Sequence, residues 1–597
     1  PRRVLVFAPL AYSTPHFETD LEIAQRHLDL GDEVDVALCD GELSACQLNP
    51  LREAKRCAAC VSRNLQGVAQ LSRPVRTLRL PGLLSVDDRA RLEALPKVLA
   101  NQAALRAYCF EGFDAGMATL SSLIDFVRSD TVDTVKYADA IHKLLTGAVQ
   151  SYLSVLRALE RNAYDRVYIY NGRWSMVRSA VRACEKLGVL YYTHERGADF
   201  QRFALYKNTV PHDMGNFRMQ TREAWQNARS HAPALASAHE FFSGRRQRVE
   251  KTWFSHTKEQ EVGRLPADWA CTERRFVVFT SSEFEFAAIS ADNGGRIYDS
   301  QTQGTARLAE LLARLVPEAR LWVRVHPNDH GEATAKIWQT AIAGRANITL
   351  VGAQEKIDSY AMLDGAERVI SFGSTMGIEA TYWGRVSIVL KEGFYTGLGA
   401  VYEPADEAEF IDLLLRRDVA PLPRETTLPF GYYSANRGEP FRHFETAAIS
   451  DYEFKSPFRG RCLRPDLGEL QRGAVALFGR GEFARTEAIG RLCIEFNAAD
   501  SFGHNTRLLS LLKLGRVQDA VVALEAVAVL VLPKILPLAA KPLLDALGTL
   551  GEQGDPAAAY ALTQRLGRVC LAVPEFSAIG RRLVALPRPS AAHAVAV

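Results

Sequence analysis

Short apolar runs rich in β-branched residues alternate with amphipathic stretches over most of this chain, and the alternation changes character only near residue 467. The first run, at 3–8, passes through a loop (9–16) into apolar spacing of helical period at 17–30, and a second run follows at 33–39. Strand, loop, helix and strand in that order open a parallel α/β domain. From 85 to 162 apolar residues recur at three- and four-residue spacing (Leu120, Leu123, Ile124, Val127; then Ile141, Leu144, Leu145, Val149), which predicts a helical insertion. The sheet pattern resumes with RVYIY at 166–170, its exit loop Asn171, Gly172 and Arg173, a helix to 187 and a strand at 189–193.

A second alternation begins at FVVFT. Strands at 276–280, 321–325, 347–351, 367–371 and 386–390 are separated by helices near 305–315, 333–343, 356–363 and 376–383. Strands and helices in strict alternation make a doubly wound parallel sheet. Between the two units, 212–263 reads as helices with a basic patch, GRRQR at 244–248, which reads as a solvated face without function. Beyond 467 the chain is Ala- and Leu-rich. AVALFGRGEFARTEAIGRLC and LLSLLKLGRVQDAVVALEAVA each resemble a helical hairpin with glycine at the turn, loosely tetratricopeptide-like but without the usual aromatic and proline positions. The expected division is an α/β domain at 1–264, a second at 265–440, a linker or return segment at 441–466 and an all-α domain at 467–590. The end from 587 reads as frayed.

Length and composition narrow the class. A chain of 597 residues, 47% apolar and 24% charged, is an ordinary multidomain globular protein. A formal charge of +3 lacks the concentrated basic footprint of a nucleic-acid binder. No stretch approaches the ~20 apolar residues of a membrane span, and the apolar run at the start is too short for a signal peptide. Ten cysteines, four of them crowded at Cys39, Cys46, Cys57 and Cys60, point to a reduced, cytoplasmic setting, with at most peripheral contact with the inner membrane. Their C-x6-C-x10-C-x2-C spacing can close a four-sulfur site for structural zinc or an iron–sulfur cluster, although buried thiols also serve as small hydrophobes.

Ligands of open α/β sheets bind at the carboxyl ends of strands, and the candidate chemistry collects there. In the second unit these positions hold Ser281 and Ser282, then RVHPN with Arg324, inside the strand, and His326. The loop Ser371, Phe372, Gly373, Ser374 and Thr375 follows, with Glu379 one helical turn on. Hydroxyls and free N–H groups at a helix start favour an anion such as phosphate. In the first unit they are His16 and Glu18 after the first strand and HERGADF (194–200) after the fourth, with Glu195 and Asp199 as carboxylates.

Two α/β units with an anion-binding loop on the second resemble the GT-B glycosyltransferases. The His-Pro pair at 326–327 and GSTMGIEA at 373–380 are similar to the His-Pro and Ser-Ser/Thr motifs of bacterial capsular-polysaccharide transferases and bacterial sialyltransferases. The resemblance spans 1–440 and implies that His326 contacts the donor nucleotide while Ser374 and Thr375 hold its phosphate. Glu-Arg-Gly at 195–197 stands where those families carry acid-acid-Gly, the source of the base that deprotonates the acceptor. Arg196 in the middle position departs from that pattern. Glu195 is the first choice for the base, with His16, Glu18 and Asp199 as rivals. The activity so implied is metal-independent, inverting transfer of a sugar from a nucleotide-activated donor to a surface-glycan or glycolipid hydroxyl. A CMP-sugar is favoured over a nucleoside-diphosphate sugar. A nucleotide-sugar epimerase and a non-catalytic scaffold, whose C-terminal helices bind a protein partner or a second copy, are the alternatives.

Overall fold

The computed structural model describes residues 1–251, 255–289, 296–329, 331–448, 451–454, 463–464, 466–553 and 555–588. The expected frayed end therefore lies outside the described residues except for its first two positions, as does 455–462 of the expected return segment.

The first sheet is built from β1 (Arg3–Phe7), β2 (Glu33–Leu38), β3 (Arg76–Arg79), β4 (Arg166–Tyr170), β5 (Tyr191–Arg196) and β6 (Arg202–Lys207). The second comprises β7 (Arg275–Phe279), β8 (Arg320–Arg324), β9 (Ile348–Val351), β10 (Arg368–Ser371) and β11 (Val386–Val389). A two-residue strand, β12 (Glu439–Pro440), brings the chain back to the first sheet by pairing antiparallel with β6. Strand order is β12-β6-β5-β4-β1-β2-β3 in one sheet and β11-β10-β7-β8-β9 in the other. Both are doubly wound: β1 lies between β2 and β4, and β7 between β8 and β10, all parallel. Adjacent strands whose connections leave in opposite directions open a crevice at their carboxyl ends. In the first sheet that crevice is bounded by the loops leaving Phe7 and Tyr170, in the second by those leaving Phe279 and Ser371.

Covering helices explain the apolar strands. In β1, Leu5 and Phe7 enter one core with Tyr152 and Val177, while Val4 and Val6 enter another with Phe17 and Leu21, so the strand is buried on both faces. In the second sheet Phe276 and Val278 face Leu308 and Leu312, and Val277 and Phe279 face Trp322 and Met362. The insertion forms the helices Val86–Glu93, Gln102–Ala107, Ala115–Val127 and Ala138–Arg161. Leu120, Leu123 and Ile124 from it pack with Phe284 of the second unit. The Leu428–Asn436 helix packs on Ala232–Arg246 and Met214–Ala228. The α/β units thus face each other across packed helices, and the fold class is the one expected: two Rossmann-like domains with an all-α C-terminal part.

That last part begins with two helical hairpins, Leu467–Gly479 with Phe483–Phe496 and Ser501–Lys513 with Val517–Glu525. Gly481 (φ +78°) and Gly515 (φ +72°) make their turns in a left-handed conformation that glycine adopts without strain. Among the described residues no helix is long and apolar enough to cross a membrane.

One boundary differs from expectation. HERGADF is not a loop throughout: His194, Glu195 and Arg196 continue β5, because the unforeseen strand β6 folds back on it and pairs Glu195 with Ala204 and Arg196 with Phe203. The antiparallel partner supplies hydrogen bonds to residues whose polarity had marked them as loop.

Candidate active site

A cleft of about 460 Å³ lies between the two α/β units. Glu195, Ala198, Tyr206 and His212 line it from the first sheet's side. Arg245, His256, Tyr360, Thr375 and Met376 face them from the other.

Glu195 is held from three directions. Asn171 Nδ2 donates to Oε2 (2.7 Å), the Arg196 backbone N–H donates to Oε1 (2.9 Å), and His16 Nε2 stands 3.7 Å from Oε1. Asn171 adopts φ +57° and Gly172 φ +86° at the exit of β4, a turn that aims the Asn171 amide at its neighbour strand. His212 Nε2 lies 3.3 Å from Asn171 Oδ1. Burial works to raise the Glu195 carboxyl, but the neighbouring His16 ring, the Arg196 N–H and the Asn171 amide outweigh it and hold the group below the usual carboxylate range. Burial also takes the His16 and His212 imidazoliums down to about 3. At neutral pH the pairing is a carboxylate between neutral imidazoles.

The opposite wall carries the positive charge. Arg245 Nε donates to Glu379 Oε1 (2.8 Å) and its Nη2 donates to Thr375 Oγ1 (2.9 Å). Tyr360 donates its hydroxyl to Glu379 Oε2 (2.5 Å), so this fully buried carboxylate is satisfied on both oxygens. Glu379 anchors Arg245 and does not face the cleft. The Met376–Tyr382 helix behind Thr375 is only seven residues long, and its dipole adds little beside a guanidinium.

Behind that wall, His326 Nδ1 accepts from the Asn328 backbone N–H (3.2 Å), and therefore from the Ser282 hydroxyl (3.0 Å). Its proton is thus on Nε2. Its ring meets His256 edge-on at 5.1 Å, and His256 rather than His326 lines the cleft. Burial, with His256, Arg324 and Arg245 nearby, lowers His326 to about 3 and keeps it neutral.

The remaining expected residues sit elsewhere. Glu18 turns into the first domain against Arg63. Asp199 closes the turn between β5 and β6, accepting from the Gln201 N–H (2.9 Å) and pairing with Arg202 (3.5 Å). Ser281 Oγ donates to the Phe372 carbonyl (2.6 Å), and Ser371 Oγ bonds the Tyr395 hydroxyl (2.9 Å) inside the core. The Ser374 carbonyl accepts from that same tyrosine (2.6 Å), and Gly373 (φ +83°) makes the turn before it. Arg324 donates across to the Gly352 carbonyl, and burial lowers it to about 10. Among the described residues no group of three or more His, Cys, Asp or Glu side chains is set to hold a metal ion, the four cysteines included.

Sequence reasoning passed over Arg245, His212 and His256. The patch that contains Arg245 is not a uniform solvated face: Arg246 pairs with Asp364, while Arg245 turns to Glu379 and the cleft. Adjacent residues on a helix point about 100° apart, so a basic run divides its charges between two surroundings. The readable signal was Glu379, an acid in an otherwise apolar helix that requires a cation.

Residues 226–409 match the family model described as capsule polysaccharide biosynthesis protein. The matched stretch contains the Arg245 helix and the whole second sheet, the cationic side of the cleft. The two facing Rossmann-like domains are the arrangement of a GT-B fold. No curated protein matches the chain. Among solved structures it is similar to a KpsC β-Kdo 2,4 transferase of Thermosulfurimonas dismutans (15% identity, 52% of this chain and 90% of that one, TM-score 0.32). It is also similar to a Neisseria meningitidis UDP-GlcNAc 2-epimerase bound to UDP-GlcNAc (12%, 74% and 96%, TM-score 0.23). Acinetobacter baumannii MurG stands alongside (12%, 74% and 96%, TM-score 0.22). At identities and scores this low, these likenesses decide nothing about donor, acceptor or chemistry.

Proposed function

We propose that this chain is a glycosyltransferase that moves a sugar from a nucleotide-activated donor to a hydroxyl of a surface-glycan acceptor, by inversion and without a metal. The observation that carries the reading is the opposition of Arg245 and Thr375 on one wall of the cleft to Glu195 on the other. A guanidinium with a hydroxyl beside it can take charge that develops on a leaving phosphate, the role a metal plays elsewhere. His256, with the neutral His326 behind it, offers imidazole contacts to the nucleotide. Glu195 takes the acceptor proton. A carboxylate held at low proton affinity is a weak base. In an oxocarbenium-like displacement, however, the acceptor hydroxyl turns strongly acidic only as its new bond to the sugar forms, and a weak base then suffices. His16 and His212, which burial keeps neutral, orient the carboxylate and complete its wall.

A CMP-sugar is the favoured donor, on the strength of the His-Pro and Ser-Thr motifs, ahead of nucleoside-diphosphate sugars. The test is a thermal-shift panel of CMP, CDP, UDP and GDP on the wild-type chain and on His326→Ala. A response to one nucleotide family that weakens in the variant is expected, and no response to any of the four overturns the reading. The grouping of His16, His212 and Glu195 also suits a nucleotide-sugar epimerase. Turnover of a nucleotide sugar with no acceptor present would favour that second reading.

A further inference from the structure

The loop after β2 and the first turns of the Ala54–Gln70 helix bring four thiols to one cavity, which the proposed transfer does not use. Cys39, Cys46, Cys57 and Cys60 all line it, together with Pro9, Arg56 and other residues. The surroundings of Cys57 are those of a sulfur anion. Asn49 Nδ2 (3.3 Å) and the Arg52 guanidinium (3.4 Å) donate to Cys57 Sγ. A neutral thiol is a poor acceptor, and two donors on one sulfur are best used by a thiolate. Metal ions supply that form, because they deprotonate the thiols that ligate them.

A single zinc ion would draw four sulfurs to ~2.3 Å of one centre. The four cysteines are not set for that: they surround a cavity without forming a group that can hold one ion. A cluster, which spreads its thiolates over several irons, suits such an arrangement. Arg52 and Arg56 beside the cavity offset the negative charge that four thiolates bring. We infer that Cys39, Cys46, Cys57 and Cys60 are the ligands of an iron–sulfur cluster.

Its place in the fold gives it a structural task. The same loop docks the C-terminal helices: Asp40 accepts from Arg485 (2.7 and 3.0 Å), and Glu42 accepts from Arg491 (2.9 Å). Cys60 also abuts the Pro9 carbonyl, in the loop that leads to His16. A cluster would pin both loops from one point.

The test uses the full chain prepared without oxygen and reconstituted with iron and sulfide. About two to four irons and a matching count of acid-labile sulfide per chain are expected, with a broad visible absorbance that oxygen bleaches. Cys57→Ser with Cys60→Ser should lose all of it, whereas Cys109→Ser and Cys271→Ser, at exposed cysteines outside the cavity, should keep it. Should the double variant fail to fold, differential alkylation of the wild-type chain decides. The four thiols should be protected until a chelator is added, while Cys109 reacts throughout. Zinc in place of iron, an iron-free chain after reconstitution, or four thiols alkylated as readily as Cys109 would each overturn the inference.

Discussion

Neutralising Arg245 and its anchor in turn separates a phosphate-binding role from a merely structural one. Arg245→Met strands the Glu379 carboxylate, which is fully buried and would keep only the Tyr360 hydroxyl. Removing one partner of a buried pair costs about 3–5 kcal/mol. Arg245 itself is partly exposed, which places the loss toward the lower end. Glu379→Gln added to Arg245→Met removes the stranded charge while leaving an amide for Tyr360, so most of that stability should return. Nucleotide binding should not return with it. A charge-assisted contact to phosphate is worth about 1.5–3 kcal/mol, or about 10- to 150-fold in Kd. Urea denaturation reads the first quantity and titration calorimetry with the responding nucleotide the second. A double variant that regains wild-type stability and also binds nucleotide with wild-type affinity would refute the assignment, because Arg245 would then have acted only by holding Glu379.

Glu195→Gln should leave nucleotide affinity within about twofold and lower turnover by at least ~100-fold, the contribution of a positioned base; a discontinuous transfer assay reads this, and near-normal turnover would move the base elsewhere. Arg485→Met leaves Asp40, 1% exposed, buried without its guanidinium. A loss of about 3–5 kcal/mol is expected, together with faster amide exchange in Leu467–Gly479 and Phe483–Phe496. Asp114 is pushed up by burial, but Arg182 and Arg178 outweigh that and hold it well below its ordinary value of 3.8. A depressed folded-state value contributes stability above 3.8 that is lost as pH falls through the folded value. Asp114→Asn should therefore be less stable than wild type by about 2 kcal/mol at pH 7, and the gap in urea midpoints should narrow toward pH 2.

Most strands and their carboxyl ends were legible because strands buried on both faces must be continuously apolar, and RVYIY or FVVF admits no other reading beside amphipathic helices. The strand exits were therefore visible too, and with them Glu195, Thr375 and His326. What each exit residue does was not visible, because a side chain's task depends on which remote element faces it. Ser371 and Thr375 are four residues apart in one motif, yet one bonds Tyr395 in the core and the other meets Arg245 at the cleft. Glu18 and Asp20 share the helix that His16 begins, and are spent on Arg63 and His194 respectively. Arg245 is the reverse case, a residue of a bland basic run that acquires its role only when Glu379, 134 positions on, folds against it. Local apolar periodicity settles which segments are buried. The partner of a buried charge comes from long-range packing, and here that packing placed the cation opposite Glu195.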